Sequence, residues 1–327
     1  MRILVTGGAG FIGSSYVRSV VRGQYPVLLD AEVVVLDLLT YAGTLTNLAP
    51  VLDWPRLRVV EGDIRDTAQV GAAMAGVDAV VHFAAESHVD RSILGAADFV
   101  STNVAGTQVL LQAALDAGVG RFVHVSTDEV YGSIPHGSWP ETHPLEPNSP
   151  YAASKASSDL LARAYHRTHG LPVCITRCSN NYGPHQFPEK VIPLFVTNLL
   201  DGGAVPLYGD GLNVRDWLHV DDHCRGIALV LGSGRPGEVY NIGGGTELSN
   251  KELTSLLLEA CGAGWDSVEY VEDRKGHDRR YSVDCTKISE ELGYAPRKDF
   301  TEGLAETVQW YRDNRAWWEP LKERAAL

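Results

Sequence analysis

No stretch of this 327-residue chain approaches the ~18 uninterrupted apolar residues of a membrane-spanning helix, so no membrane is expected as a partner. A secretory leader is not expected either. Met1 and Arg2 run into only Ile3, Leu4 and Val5 before Thr6–Gly7–Gly8, where such a leader needs roughly 7–15 apolar residues. A cytoplasmic protein is expected. Basic residues are in deficit, 28 Lys and Arg against 41 Asp and Glu, giving a formal net charge of −13. That excludes nonspecific nucleic-acid binding, which needs a basic face, but leaves room for a local basic pocket. Cysteines are few and odd in number: Cys174, Cys178, Cys224, Cys261 and Cys285. They suggest no disulfide framework and no zinc-site spacing, so no metal is expected. Glycine is abundant, at 33 residues, which favours turns and close approach of backbone to ligand.

The first half alternates short apolar strands with helix-like segments. Arg2–Thr6, Glu32–Asp37, Leu57–Val60, Asp78–Phe83, Arg121–Ser126 and Val173–Arg177 read as strands. Ile12–Arg22, Thr67–Ala75, Ala97–Ala117 and Tyr151–Thr168 read as helices between them. Nearly continuous apolar strands separated by helices are the pattern of a parallel sheet covered on both faces. The expected architecture is α/β: a Rossmann-type parallel sheet flanked by helices, with a smaller mixed α/β C-terminal substrate-binding domain. The boundaries are 1–180 for the first and mainly 181–327 for the second, with segments of about 212–243 returning to the sheet. In the second half, helices are expected at Val191–Leu200, Asp221–Leu231 and Asn250–Glu259, with Thr301–Arg312 as the last. Strands are expected at Val205–Leu207, Val239–Ile242 and Ser267–Val271.

Gly7, Gly10 and Gly13 recur at three-residue intervals between the first strand and the first helix. A turn without Cβ atoms there lets a pyrophosphate meet free backbone N–H groups at a helix N-terminus. Asp37 closes the second strand, where a carboxylate accepts hydrogen bonds from both adenosine ribose hydroxyls and repels a 2′-phosphate. NAD is therefore favoured over NADP. Asp63, after the third strand, is placed to reach the adenine amino group. A flavin or an S-adenosyl donor could share these features, so the reacting residues must decide.

Tyr151 and Lys155 stand at i and i+4 on one helix and share a face. A free tyrosine, with a pKa near ~10, is a poor base at neutral pH. A neighbouring ammonium and a nicotinamide cation would favour its phenolate. Thr127 ends a parallel strand, where such folds place their sites. The next two residues, Asp128 and Glu129, are adjacent carboxylates. Alcohol oxidation alone needs neither. Elimination of water from a ketosugar needs a base for the C5 proton and an acid for the C6 hydroxyl, and two carboxyls in one dry site tend to separate their pKa values.

With these motifs the chain resembles the extended short-chain dehydrogenase/reductase superfamily, and within it the dTDP-glucose 4,6-dehydratases of the actinomycete secondary-metabolism type. The likeness runs from Ile3 to the Trp310–Tyr311 region. It includes Asp37…Thr40–Tyr41–Ala42–Gly43, Gly62–Asp63–Ile64–Arg65–Asp66, His82–Phe83–Ala84–Ala85–Glu86–Ser87–His88–Val89–Asp90–Arg91–Ser92, Asn180–Asn181–Tyr182–Gly183–Pro184 and Pro188–Glu189–Lys190. Sugar-nucleotide epimerases and decarboxylases share the cofactor motif, Tyr151 and Lys155, but the epimerases usually lack the Asp–Glu pair; they are the alternative reading.

The resemblance implies that Tyr151 and Thr127 act on the C4 hydroxyl, Glu129 on C5 and Asp128 on the C6 hydroxyl. NAD, regenerated each cycle, is expected to contact Phe11, Ile12, Thr40, Ile64 and Ala84 besides the residues above, and Lys155 its ribose. For the substrate, dTDP-glucose, Arg215 and Arg274 are expected at the diphosphate, with Asn181 and Asn250 as polar contacts. Ser87, Glu189 and Lys190 are expected near the sugar and phosphates, Pro206 and Tyr208 around thymine, and His277 toward the nucleotide. A homodimer is implied, and the alanine-rich faces of Ala97–Ala117 and Tyr151–Thr168 could form its four-helix interface.

Overall fold

In the computed structural model, which describes residues 1–325, the apolar runs become strands in chain order. The first half contains β1 (Arg2–Thr6), α1 (Phe11–Val21), β2 (Glu32–Asp37), β3 (Leu57–Glu61), α2 (Thr67–Met74), β4 (Ala79–His82), α3 (Val89–Leu94), α4 (Ala97–Phe99), α5 (Thr107–Asp116), β5 (Arg121–Thr127), α6 (Pro150–His169) and β6 (Val173–Cys178). Helix ends carry local signals. The Asp66 side chain accepts from the N–H groups of Ala68 and Gln69 at the start of α2. Ser149 caps α6, Pro150 occupies its first turn, and Gly170, at φ 73°, ends it in the left-handed region.

The second half adds β7 (Asn180–Tyr182), α7 (Val191–Leu200), β8 (Val205–Tyr208), β9 (Val214–His219), α8 (Val220–Ser233), β10 (Val239–Ile242), β11 (Glu247–Ser249), α9 (Asn250–Cys261), β12 (Val268–Val271), α10 (Thr286–Leu292), α11 (Phe300–Asp313) and α12 (Arg315–Ala325). Seven strands form one sheet in the order β3-β2-β1-β4-β5-β6-β10, every pair parallel. Two buried clusters cover its faces: Ile3, Val35 and Val123 with α1 and α8 on one, and Leu4, Val80 and Phe122 with α2, α5 and α6 on the other. β10 thus returns from the second half to the sheet. The remaining strands form a three-stranded sheet, β11-β9-β7, and a two-stranded one, β12-β8. A third cluster, around Phe195, Trp217, Leu257 and Trp318, packs the C-terminal helices. The chain order reverses between β1 and β4, and the carboxyl ends of these strands open there, as ligand sites in such sheets do.

Two expectations need correction. The helix expected as continuous over 97–117 changes its winding: Val100–Gly106 is π-helical between α4 and α5. Asn103, in that segment, accepts from the Glu86 N–H and donates to the Glu86 carbonyl and to Ser154 Oγ, each at 2.8–2.9 Å. Those contacts, invisible to periodicity, accompany the wider turn. Second, α11 is not the last helix. α12 follows it despite Pro320, anchored by Trp318, which is fully buried and donates to the Tyr311 carbonyl at 2.7 Å.

Candidate active site

A cavity of about 600 Å³ opens over the carboxyl ends of β1, β2, β4 and β5 and under β8, β9 and α9. Every site residue expected from the sequence lines it. At one end lies the glycine turn. Gly7 has φ 69°, and a Cβ on it would stand 2.6 Å from the Ala84 nitrogen; a Cβ on Gly13 would stand 2.2 Å from the Gly7 oxygen. The backbone can close only with glycine. α1 starts behind this turn with no side-chain cap and no acidic residue in its first turn, so its N–H groups remain available to an anion. Asp37 is buried; its Oδ2 accepts from Ala9 N–H at 2.8 Å and its Oδ1 from Leu39 N–H at 2.9 Å. A Cβ on Gly43 would stand 2.8 Å from that Oδ1. A bare turn, a free helix end and a fixed carboxylate fit an adenine dinucleotide. Thr40, Ile64 and Ala84 line the same end. Asp63 does too, with its carboxylate held by Arg65 (2.6 Å), a lining residue the sequence reading passed over.

In mid-cavity, β5 ends at Thr127 and leads into Asp128 and Glu129, while α6 presents Tyr151 and Lys155 opposite. Thr127 Oγ1 accepts from the Glu129 N–H at 3.2 Å and donates to Asp128 Oδ1 at 3.3 Å. The two carboxyls differ in surroundings. Burial raises the Asp128 carboxyl far above the usual range, and the charges of Glu129 and Asp216 add to that; Arg215 opposes weakly. Its Oδ2 has no protein partner. Burial raises Glu129 too, and it stays above its ordinary value, but there Arg215, Lys190 and Arg274 pull against the rise. Asp128 is thus the group held as an acid and Glu129 the one with cations to support its charge.

Tyr151 departs from one expectation. Burial and the Glu129 charge push its phenol well above its ordinary value, and only Thr127 among the nearby side chains works in the other direction. Lys155 does not offset this, because burial lowers its own ammonium to about 8, against the pull of Asp159. Its Nζ is fixed to the Val125 carbonyl at 2.8 Å. Beneath it lies a network the sequence did not reveal. Asp159, one turn along α6, accepts from Arg177 Nε at 2.8 Å; Arg177 also donates to Tyr131, and Tyr131 to Asn241. His82, in β4, bridges Thr6 and Thr107 at 2.7 and 2.9 Å, a structural place within the sheet.

At the far end, Arg274 is clasped by Asp90 through Nε and Nη2 at 2.6 and 2.8 Å and lies over the Tyr208 ring at 5.3 Å. Arg215 lies over Tyr281 at 4.2 Å and donates to the Val214 and Asp278 carbonyls. Lys190 Nζ donates to the Ser87 carbonyl at 2.7 Å, and the Glu189 carboxylate pairs with Arg91 at 3.1 Å. Asn181 is oriented by His223, whose Nδ1 is 2.9 Å from Asn181 Oδ1. His277 is tied to Asp273 at 2.6 Å and meets the Tyr208 ring edge-on. Pro206 and Asn250 complete this end. Asp90, Arg91, His223 and Tyr281 were not among the expected site residues; each acts through a contact with a distant segment.

Residues 4–307 match the family model described as GDP-mannose 4,6 dehydratase. The chain is 68% identical to dTDP-glucose 4,6-dehydratase of Streptomyces antibioticus, across 100% of this chain and 97% of the relative. The crystal structure of DesIV, the dTDP-glucose 4,6-dehydratase of Streptomyces venezuelae solved with NAD bound, superposes with a TM-score of 0.97 at 70% identity, covering 98% of this chain and 100% of that one. A UDP-glucose 4-epimerase from Thermotoga maritima shares the fold at 34% identity and a TM-score of 0.88, covering 96% and 100%.

Proposed function

The chain belongs to the dTDP-glucose 4,6-dehydratases of the extended short-chain dehydrogenase/reductase superfamily, and we propose from its cavity how its residues perform their reaction. The protein is an NAD-dependent lyase that converts dTDP-glucose to dTDP-4-keto-6-deoxy-glucose. The observation that carries the mechanism is the adjacent carboxyl pair, Asp128 and Glu129, with opposed surroundings.

Gly7, Gly10, Phe11, Ile12 and Gly13 would hold the cofactor pyrophosphate, Asp37 and Thr40 the adenosine ribose, and Asp63, Ile64 and Ala84 the remaining wall. NAD bound there would supply the acceptor for the C4 hydride, the donor that returns it to C6, and a positive charge while oxidised. Tyr151 takes the proton of the C4 hydroxyl, with Thr127 beside it and the charge of the oxidised nicotinamide as the support for its phenolate; Lys155, anchored on Val125, would donate to the ribose. With C4 a ketone, the C5 proton becomes acidic. Glu129 removes it, and Asp128 gives its proton to the C6 hydroxyl, which leaves as water. Glu129 then returns a proton to C5. Arg215 and Arg274 take the diphosphate, Arg274 with Asp90 occupying one side of its fork. Ser87, Asn181, Glu189, Lys190 and Asn250 face the sugar and phosphates, and Pro206, Tyr208 and His277 the base.

The same reading makes 1–180, with β10 and its approach, the cofactor half, and the rest mainly the nucleotide-sugar half. It also makes the protein a cytoplasmic homodimer. Five unbridged cysteines suit a reducing compartment. Val100 and Leu160, each 54% exposed, support pairing through the α4–α5 and α6 helices; sedimentation at twice the chain mass tests it. No described helix is long and apolar enough to cross a membrane. The decisive experiment is incubation of the purified protein with dTDP-glucose and no added cofactor. Loss of one water from the nucleotide sugar, without net reduction of NAD, is the expected result. An unchanged mass in the presence of added NAD⁺ would refute the assignment.

A further inference from the structure

Helix α12 reaches the glycine turn from the far end of the chain. Trp317 donates its indole N–H to Asn47 Oδ1 at 3.0 Å. Asn47 is buried, and its Nδ2 donates to the Ala9 carbonyl at 2.9 Å. Ala9 is the residue whose N–H donates to Asp37 Oδ2 at 2.8 Å. A continuous run of hydrogen bonds, Trp317 to Asn47 to Ala9 to Asp37, therefore joins the C-terminal helix to the turn and the carboxylate at the dinucleotide end of the cavity.

The direction of these bonds matters. A side-chain amide can present its oxygen or its nitrogen to a neighbour, and Ala9 offers a carbonyl that needs the nitrogen. An indole N–H can only donate, so Trp317 selects the orientation in which Asn47 Oδ1 faces the indole and Nδ2 faces Ala9. The indole itself is held edge-on between Trp310 (4.9 Å) and His185 (5.5 Å). From the same aromatic group, Tyr311 donates to the carbonyl of Gln186, a cavity-lining residue, at 2.5 Å. The C-terminal helices thus support both sides of the cavity.

We infer that Trp317 is a positioning residue for the cofactor: by orienting Asn47 it fixes the Ala9 carbonyl and the glycine turn, so that NAD leaves slowly and survives repeated turnovers. This rests on the reading of NAD as a retained cofactor. Trp317→Phe keeps an aromatic ring but removes the donor together with the pyrrole part of the indole, and Trp310→Phe, which loses the same ring atoms, controls for the packing. NAD should then leave the purified holoenzyme about fivefold faster, the effect of losing one ordinary hydrogen bond, measured as dinucleotide remaining after timed gel filtration. Trp310→Phe, in the same cluster but without a bond to Asn47, should release NAD at the parent rate. In an Asn47→Ala background the Trp317→Phe effect should disappear. Parent-like release from Trp317→Phe overturns the inference, as does equal acceleration by Trp317→Phe and Trp310→Phe, which would mark the cluster as packing alone. If the purified parent holds no dinucleotide, the retained-cofactor reading fails on its own. Titration with NAD⁺ then decides the role of Trp317: weaker affinity in Trp317→Phe supports it and equal affinity overturns it.

Discussion

Replacing Asp128 by Asn removes the acid while keeping shape and the acceptor for Thr127, which lies 3.3 Å from Asp128 Oδ1. Asp128 is 1% exposed, and burial, with the charges of Glu129 and Asp216, raises its carboxyl well above the ordinary range, toward the acid form. Asn cannot give up a proton to the C6 hydroxyl. A positioned general acid contributes roughly 10²–10⁴ in rate, or about 3–5 kcal/mol of barrier, so turnover of dTDP-glucose should fall by that factor. The oxidation at C4 does not use Asp128 and should persist in single-turnover absorbance. The control is a substrate carrying fluorine in place of the C6 hydroxyl. Fluoride leaves with far less need of a proton, so Asp128→Asn should recover most of its loss on that substrate. Glu129→Gln, which lacks the base, should recover nothing. Stability should move the other way. A carboxyl whose folded pKa is raised contributes its full stability below about pH 3.8 and loses it as pH rises toward the folded value. Asp128→Asn should therefore gain melting temperature relative to the parent at pH 8, and gain less at pH 4. Full turnover by Asp128→Asn, or fluoride rescue of Glu129→Gln instead, would refute the division of roles.

Tyr151→Phe should lower single-turnover oxidation by roughly 10²–10⁴ while NAD still copurifies; undiminished oxidation would move the base elsewhere. Lys155, lowered to about 8, should make turnover decline above that pH as its ammonium is lost, whereas Lys155→Arg should show no such limb in its pH–rate profile. Asp159→Asn should cost about 3–5 kcal/mol in chemical denaturation at pH 7, because Arg177 is left buried without its partner. Although burial raises Asp159, Arg177 and His124 outweigh it and hold the carboxyl at about 2; its contribution is present above about pH 3.8 and fades as pH falls toward 2, so the deficit of the variant should shrink across that window. Asp37→Ala should weaken NAD binding at least tenfold by titration calorimetry and narrow the preference over NADP, since two backbone N–H groups lose their acceptor and the repulsive charge is gone.

Much of this was legible in one dimension. The glycine turn, the acid closing β2, the apolar parallel strands and the Tyr151–Lys155 pair depend on residues close together in the chain. Steric limits at Gly7 and Gly13, strand burial and helical spacing are local physics, so composition and order suffice to read them. The resemblance then identified the chemistry through Asp128 and Glu129. What spacing alone could not say is which carboxyl is the acid. That depends on Arg215, Lys190 and Arg274 converging from other segments on Glu129, and on the Asp216 charge acting on Asp128.

The same holds for the π-helical turn, where Asn103 meets Glu86 and Ser154, and for Arg274, whose partner Asp90 lies 184 residues away. It holds for His223 orienting Asn181 and for Trp317 reaching Asn47. The sequence by itself determined the sheet and the glycine turn of the cofactor end, because those follow from local stereochemistry and residue type, while its resemblance to the dehydratases pointed to the candidate reacting groups. Only the tertiary structure decided in which direction their acidities move, their orientation and the bonds that hold them, because burial and charge act through space between residues the chain keeps far apart.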